Sequence, residues 1–387
     1  MKRRIRVTQL VTGLAIGEVN GGGELFAVRL AQFLDPAQFE VSVLAMWAYD
    51  SPIERAWQRQ LAAQGIATHF ATHYRAQFRT DFVMAYLCVY PLLWRLRPDI
   101  LNTHTEYADM VGAALKATGA ARRMVRTGHN VVEWPFDLRI WRKLSRIYPW
   151  VADMEVGVSR AVVQMLGENP AARLRRRPAR YIPNAIDPEL VLAQRSGRDM
   201  RALLGIAPQA PLFGVVGRLS EQKGLPYLIR AMHAVRAALP EARLLIIGNG
   251  ERRDELHALV AEQGLGDCIT FLGPRSDAID LIASLDAFVS SSLWEGLPTV
   301  ILEAMLLGTP VVATNIAGSR DLVIDGATGL LVPPRDPAAL AQAMLRMIRE
   351  PANARAMAEH ARSHIEQFAI RTVAHAYGQL YAELLGG

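Results

Sequence analysis

Cysteine is scarce in this chain, with two residues, Cys88 and Cys268, among 387. They lie far apart and inside apolar runs, which excludes a disulfide scaffold and a cysteine-rich zinc site and fits a reducing compartment. Long apolar runs are missing as well. The longest, FVMAYLCVYPLLW from Phe82 to Trp94, is interrupted by Pro91 and too short to cross a bilayer, so it reads as a core helix. The basic, then apolar N-terminus MKRRIRVTQLVTGL is broken by Arg6, Thr8 and Gln9, and no small-residue cleavage site follows. It reads as a first β-strand rather than a signal peptide. Neither G-x-G-x-x-G nor G-x-x-x-x-G-K-[ST] occurs, which counts against a nicotinamide oxidoreductase and a P-loop nucleotidase. Nor is there a D-x-D pair, the clustered carboxylate that a hard cation wants. Its nearest substitute, Asp153 and Glu155 in DME, enters an apolar strand. No metal and no cofactor are expected.

What is present points to two domains. A chain of 387 residues, 51% hydrophobic and 21% charged, is long enough for two cores. Short β-rich runs alternate with helical patterns throughout, which predicts an α/β fold with parallel sheets. Expected strands in the first half are Ile5–Thr12, Glu40–Ala45, Ile100–His104, Met124–Gly128, Glu155–Ser159 and Tyr181–Pro183, with helices such as Glu24–Leu34 and Tyr107–Ala117 between them. The series restarts at LFGVVGRLS after the turn-rich IPNAIDPELVLAQRSGRD, which places the division at residues 192/193. The last helical stretch, IRTVAHAYGQLYAELL, fits either domain by periodicity.

The net charge of +6 is uneven: residues 1–180 hold 25 Lys and Arg against 15 Asp and Glu, and the remainder holds 18 against 22. The basic half suits an anionic substrate or an anionic membrane surface. Its densest piece, RLRRRPAR from Arg173 to Arg180, reads as a solvated loop or a membrane-facing patch. No nucleic-acid motif accompanies it, so nucleic acid is not expected as a partner.

Four stretches carry candidate chemistry. In WEGLPTVILEAMLLGTPVVAT, Pro298 suits a helix start, Thr299 to Leu307 reads as a buried helix, and Gly308 ends it before a strand. The amides of Gly296, Leu297, Thr299 and Val300 then surround a helix N-terminus, a ready anion site. Glu295 precedes them and Glu303 lies about a turn and a half into the helix. Such a site suits a molecule with an anionic middle and hydroxyl-rich ends, as a nucleotide sugar has. In VVGRLSEQKG, Arg218 and Lys223 follow a strand and suit a diphosphate, one as a planar fork of donors, the other as a mobile point charge. The loop NGGGELF brings Gly22 and Gly23 to the start of a helix, where backbone can approach a ligand closely. IGNGER carries Gly248 and Gly250 without a third glycine. Two histidines, His104 in LNTHTEY and His129 in RTGHNVVEW, stand at strand ends. A site role is the stronger reading for His129, a structural one for His104, and neither has metal-ligand spacing.

The ordered set GRLSEQKG, IGNGE, FLG, SSLWEGLPTVILEAMLLGTPVVAT and GSRDLVIDGATGLLVPPRD resembles the GT4 family of retaining glycosyltransferases, of GT-B fold. Glu295 and Glu303 match its E-x7-E motif. The match covers about residues 210–350, while GHN, VGVSRAVV and YIPNAID match more loosely. The resemblance implies two Rossmann-like domains facing across a cleft, 1–192 with a returning C-terminal helix 371–387, and 193–370 holding the nucleotide sugar. It implies that Arg218 and Lys223 neutralise the diphosphate, Glu303 binds ribose, and Glu295 and the following amides hold the donor sugar. His129 would meet that sugar near the reacting carbon, and Gly22 and Gly23 would close on the diphosphate. The implied donor is a nucleoside-diphosphate sugar. Apart from the resemblance, the basic first domain and its aromatic stretch HNVVEWPFDLRIW suggest a glycan or lipid-linked acceptor and, in a cytoplasmic setting, peripheral contact at an anionic inner membrane surface. Ala185 stands where the family often has glycine, and Gly23 where a small non-glycine is common. Two other readings stay open: a GT-B sugar-nucleotide epimerase or phosphorylase, and a non-catalytic sugar-nucleotide-binding protein.

Overall fold

The computed structural model describes residues 3–14, 22–131 and 145–386. The expected glycine loop before Gly22 and most of the aromatic stretch HNVVEWPFDLRIW therefore lie outside the described residues. The chain forms two compact units, Met1–Ala185 with Ile370–Gly387, and Ile186–Ala369. The division falls ahead of the expected 192/193, because Ile186 donates its N–H to Phe368 O and bridges Ala369, tying this stretch to the second unit.

The first unit holds β1 (Ile5–Val11), α1 (Gly22–Phe33), β2 (Phe39–Ala48), α2 (Pro52–Ala63), β3 (Ala67–His73), α3 (Phe78–Leu96), β4 (Ile100–Thr103), α4 (Glu106–Ala117) and β5 (Arg123–Gly128). After the undescribed segment come α5 (Tyr148–Val151), β6 (Met154–Gly157), α6 (Arg160–Gly167), α7 (Pro170–Arg175) and β7 (Arg180–Tyr181). The strands pair in parallel in the order β3-β2-β1-β4-β5-β6-β7. Successive side chains of a strand point to opposite faces. Leu10, Leu44 and Leu101 therefore meet α3 and α4 on one face, while Val7, Ile100, Val125 and Val156 meet the C-terminal helix on the other.

The second unit holds α8 (Pro188–Ala193), α9 (Met200–Leu203), β8 (Leu212–Val216), α10 (Leu225–Ala238), β9 (Arg243–Ile247), α11 (Arg253–Glu262), β10 (Ile269–Gly273), α12 (Ala278–Ala283) and β11 (Ala287–Ser290). It continues with α13 (Thr299–Leu307), β12 (Val311–Thr314), α14 (Ala317–Arg320), β13 (Leu330–Val332), α15 (Pro337–Arg349) and α16 (Pro351–Ser363). Its sheet is again parallel, ordered β10-β9-β8-β11-β12-β13. The last helix, α17 (Ile370–Leu385), returns to the first unit, where Tyr377 and Tyr381 are fully buried against Phe39 and α1. Packing decides what periodicity left open.

Three expectations need correction. The helix around Phe82–Trp94 is a core helix on one face only: Ala85, Val89 and Leu93 are buried in the core, while α3 runs through Pro91 and exposes Val83, Met84, Leu87, Tyr90 and Trp94. Pro91 is tolerated because the helix lies at the surface, where water can satisfy the carbonyl that proline leaves without a donor. The segment Arg173–Arg180 is not one loop, since it ends α7 and supplies β7. Helix α1 begins at Gly22, so Gly22 and Gly23 belong to its first turn rather than to a loop before Glu24.

Candidate active site

In the second unit, three strand ends bring the candidates together. The residues after β8 form a short turn, Glu221–Lys223, and Leu293 N–H donates to Gln222 O at 2.7 Å, which sets this turn against the loop after β11. Ser291 Oγ donates to Lys223 O at 2.8 Å and reinforces the contact. As a result Lys223 Nζ lies 2.7 Å from Glu295 Oε1. Gln222 Nε2 donates to the other carboxylate oxygen at 3.0 Å, and Ser292 Oγ donates to Oε1 at 2.9 Å. Glu295 is buried, and three donors hold it in place. Only one of the three N–H bonds of the Lys223 ammonium is directed at Glu295, so others remain for an anion.

The amides beside it behave as the sequence suggests. Helix α13 runs from Thr299 to Leu307 and ends at Gly308, whose φ of +74° gives the left-handed cap that favours glycine. Pro298 stands at its N-terminus without a side-chain cap. Among the described residues, no acceptor meets the N–H groups of Gly296, Leu297, Thr299 or Val300. Gly296 and Leu297 are buried, where an unpaired N–H is costly. Four acceptor-free donors at and just before a helix N-terminus are an arrangement that suits an anion. Glu303 is half-buried and has no hydrogen-bond partner among the described residues, and burial pushes its carboxyl up to about 7.

Arg218 lies less deep. Its side chain is exposed, and Nε donates to Glu251 Oε2 at 3.0 Å. Arg218 and Lys223 nevertheless line one shallow recess with Gly217 and Leu219. Gly248 and Gly250 serve this recess through their backbone. A Cβ on Gly248 would lie 2.0 Å from Gly217 O, and one on Gly250 2.4 Å from Leu219 O. Glycine there lets the loops after β8 and β9 lie backbone to backbone, with Leu219 N–H donating to Asn249 O at 2.9 Å.

In the first unit, His129 and His104 face each other, His129 Nε2 to His104 Nδ1 at 3.3 Å, and His104 Nε2 meets Gln9 Oε1 at 2.7 Å. Burial lowers the pKa of both, that of His129 to about 4. Among the described residues, no partner meets the buried Nδ1 of His129. Gly23 fits against this pair, since a Cβ would lie 3.0 Å from His104 O and 3.2 Å from His129 Cδ2, whereas a Cβ on Gly22 would meet no atom of the described residues within 4 Å.

Sequence reasoning missed several groups. Gln222 and Ser292, which fix Glu295, and Glu251, which meets Arg218, carry no motif of their own, although Ser292 stands three residues before Glu295. Gly318 was also passed over. Its Cβ would lie 2.7 Å from Gly296 O, so only glycine lets α14 approach the anion loop. Glu24, buried in the first turn of α1, has its carboxyl pushed up to about 7 by burial. Asp153 and Glu155 prove structural: Asp153 pairs with Lys116 and Arg123, and Glu155 with Arg126.

Two family models match the chain, Glycosyl transferases group 1 over residues 198–364 and Glycosyltransferase Family 4 over residues 20–190. The chain belongs to the GT4-type glycosyltransferases. One relative is a lipopolysaccharide core biosynthesis glycosyltransferase, LpsE, of Rhizobium meliloti (strain 1021), 36% identical over 47% of this chain and 53% of that protein. Another is the UDP-Gal:alpha-D-GlcNAc-diphosphoundecaprenol alpha-1,3-galactosyltransferase of Escherichia coli, 25% identical over 67% of this chain and 69% of that one. The chain thus spans about half the length of the first relative and just over two thirds of the second. Among solved structures, HepE of Anabaena in complex with UDP-glucose superposes with a TM-score of 0.78 at 23% identity, over 99% of this chain and 100% of that one. Sucrose-phosphate synthase of Thermosynechococcus elongatus gives 0.80 at 23% identity, over 99% and 100%. With two parallel α/β units, these likenesses establish the GT-B fold of this GT4-type chain.

Proposed function

We propose that this GT4-type chain moves a sugar from a nucleoside-diphosphate sugar to a hydroxyl of a glycan or lipid-linked acceptor, with retention of anomeric configuration and without a divalent cation. The observation that carries this reading is the juxtaposition of Lys223, held at Glu295, with four acceptor-free amides beginning at the next residue. A cation beside converging N–H groups suits a diphosphate whose charge grows as the glycosidic bond breaks. Arg218 adds a second cation at the same recess. Glu303, unpartnered and half-buried, suits ribose hydroxyls, and the Glu295 carboxylate suits those of the donor sugar. The Nδ1 of His129, buried and unsatisfied, suits a polar group of the sugar near the reacting carbon.

Retention follows from front-face attack, in which the departing diphosphate takes the acceptor's proton while the protein positions both reactants. Glu295 is tied to Lys223, Gln222 and Ser292 and serves as a ligand rather than a nucleophile. The two glutamates are thus not the acid and base of a glycosidase. The relatives' names favour a sugar-nucleotide donor and, for the Escherichia coli enzyme, a lipid-linked acceptor.

A panel of nucleotide sugars, incubated with and without acceptor in EDTA, tests the reading. Slow donor hydrolysis, and product of unchanged anomeric configuration by NMR, are the expected results. Epimerised sugar without acceptor would show an epimerase, and binding without turnover a silent binding protein. Activity lost in EDTA and restored by manganese or magnesium would end the metal-free reading.

A further inference from the structure

The exposed apolar side chains of the first unit are not scattered. Among the described residues, only Tyr74 and Tyr181 of its large exposed hydrophobics lie elsewhere. Val83, Met84, Leu87, Tyr90, Trp94, Ile147, Trp150 and Leu174 all lie on or beside α3, α5 and α7. Those elements share one side of the sheet. Ala85, Val89 and Leu93 of α3 pack with Val111 and Leu115 of α4, and Tyr148 of α5 packs with Ala113 of α4 and Met124. Helix α7 in turn packs on α5. Positions 83, 87, 90 and 94 follow helical spacing, so they form one outward stripe. Isolated exposed apolar residues need no explanation, but a layer of them does.

Charge says what covers this layer. Arg146 has no partner among the described residues, and neither do Arg95, Arg97 and Arg176. Arg173, Arg175 and Arg177 donate only to backbone carbonyls, of Gly167, Pro149 and Asp153. Some arginines elsewhere, Arg201, Arg236 and Arg275 among them, are paired with carboxylates. On α3 and α4, Asp81 and Asp109 are buried and Glu106, in the first turn of α4, is partly exposed. Arg175 also lies over the Trp150 ring, 5.4 Å from its centroid, and holds that exposed indole beside the basic cluster.

The geometry points to this helical layer as the face that lies against an anionic lipid bilayer, with Leu87, Tyr90, Trp94, Trp150 and Leu174 entering the headgroup boundary and the unpaired arginines meeting lipid phosphates. Amphipathic aromatic rings favour that boundary, long arginine side chains reach headgroups while their stems stay apolar, and each cation adds electrostatic attraction. No helix among the described residues is long and apolar enough to cross a membrane, so the contact is peripheral. An acceptor carried on lipid would then be met at the surface that bears it. This face goes beyond the donor chemistry, and its test needs no sugar.

Flotation of the whole chain with phosphatidylcholine vesicles, with and without phosphatidylglycerol, tests the assignment. The chain should float with the anionic vesicles and not with the neutral ones. Replacing Arg173, Arg176 and Arg177 by Gln should weaken binding on the order of 100-fold. The pair Trp150→Ser and Leu174→Ser, and separately Leu87→Ser with Trp94→Ser, should each weaken it roughly tenfold or more. All these side chains are exposed, and unchanged melting temperatures would show the variants folded. Failure to float with either vesicle, equal binding to both, or full binding by the arginine variant would overturn the assignment. So would a dimer in solution that Leu87→Ser with Trp94→Ser dissociates, since a second copy would then be the occupant.

Discussion

The two units handle buried polarity in opposite ways. In the second, the polar groups that matter are close neighbours along the chain: Ser292 and Glu295 share one loop with the amides of Gly296 and Leu297, and only the turn of Gln222 and Lys223 comes from afar. In the first, polar partners come from distant segments. Arg126 of β5 reaches Asp109 of α4 at 2.7 Å and Glu155 of β6 at 2.8 Å, all of them buried. On the opposite face, Asn102 donates to Tyr381 of α17 at 2.8 Å, and Thr127 meets Tyr377 at 3.2 Å. The polar pairs of the first unit thus join distant elements of the scaffold, whereas those of the second fix one loop beside acceptor-free amides; buried side-chain atoms without a partner among the described residues, such as His129 Nδ1 and Ser319 Oγ, occur in both.

Removing a charge from each tests that contrast. Arg126→Met should cost about 3–5 kcal/mol of stability, since it strands two carboxylates in a low-dielectric interior. The arginine also lies 4.5 Å from the Tyr148 ring centroid, so packing is lost as well. Replacing Arg126, Asp109 and Glu155 together by apolar residues of similar volume should restore most of the loss. Denaturant melts check both, and a single variant as stable as the parent would show the triad to be dispensable.

In the second unit the cost should fall on rate instead. Lys223→Ala should lower turnover on the order of 100-fold or more, as loss of a charge-stabilising donor does elsewhere, with little change in melting temperature. Glu295 would keep Gln222 and Ser292 as donors. Arg218→Ala should act in the same direction. Near-normal turnover in both variants would remove the proposed diphosphate role.

This difference explains what could be read from the sequence. Helix α13 was legible with its bounds, because proline, an apolar run and glycine mark it locally. So were the acceptor-free amides, which follow from helix geometry alone. Strand β3 was not legible, since Thr68, His69, Thr72 and His73 in ATHFATH give an edge strand little apolar signal. Glu251 and Gln9 were invisible for another reason: their partners lie 33 and 95 residues away, and only tertiary packing joins them. The core reading of α3 held for Ala85, Val89 and Leu93 but missed the outward stripe, because an outward apolar stripe and an inward one look alike in sequence.

The smallest effect, the dependence of stability on pH, differs in sign between the histidine pair of the first unit and Glu303 of the second, while Glu24 of the first unit shares the sign of Glu303. The histidine pair has its pKa lowered by burial, that of His129 to about 4. Between about pH 4 and the usual imidazole value near 6.5, the unfolded chain binds more protons than the folded one, so the pair contributes stability that is lost as pH falls. Glu303 is the reverse case. Its carboxyl rises from 4.5 to about 7, so in that window the folded state holds the extra proton and stability declines as pH rises. His129→Asn should therefore gain on the parent as the solution is acidified, and Glu303→Gln should gain as it is made neutral. Each gain should amount to about 1–2 kcal/mol, because solvent screens groups that are only half-buried. Melting curves across this range read the two slopes, and parallel slopes in the two variants would contradict the burial of one group or the other. Because Glu303→Gln keeps the hydrogen-bonding shape and loses the charge, a raised KM for the donor in a variant that melts no lower than the parent would tie the unpaired carboxylate to recognition rather than to folding.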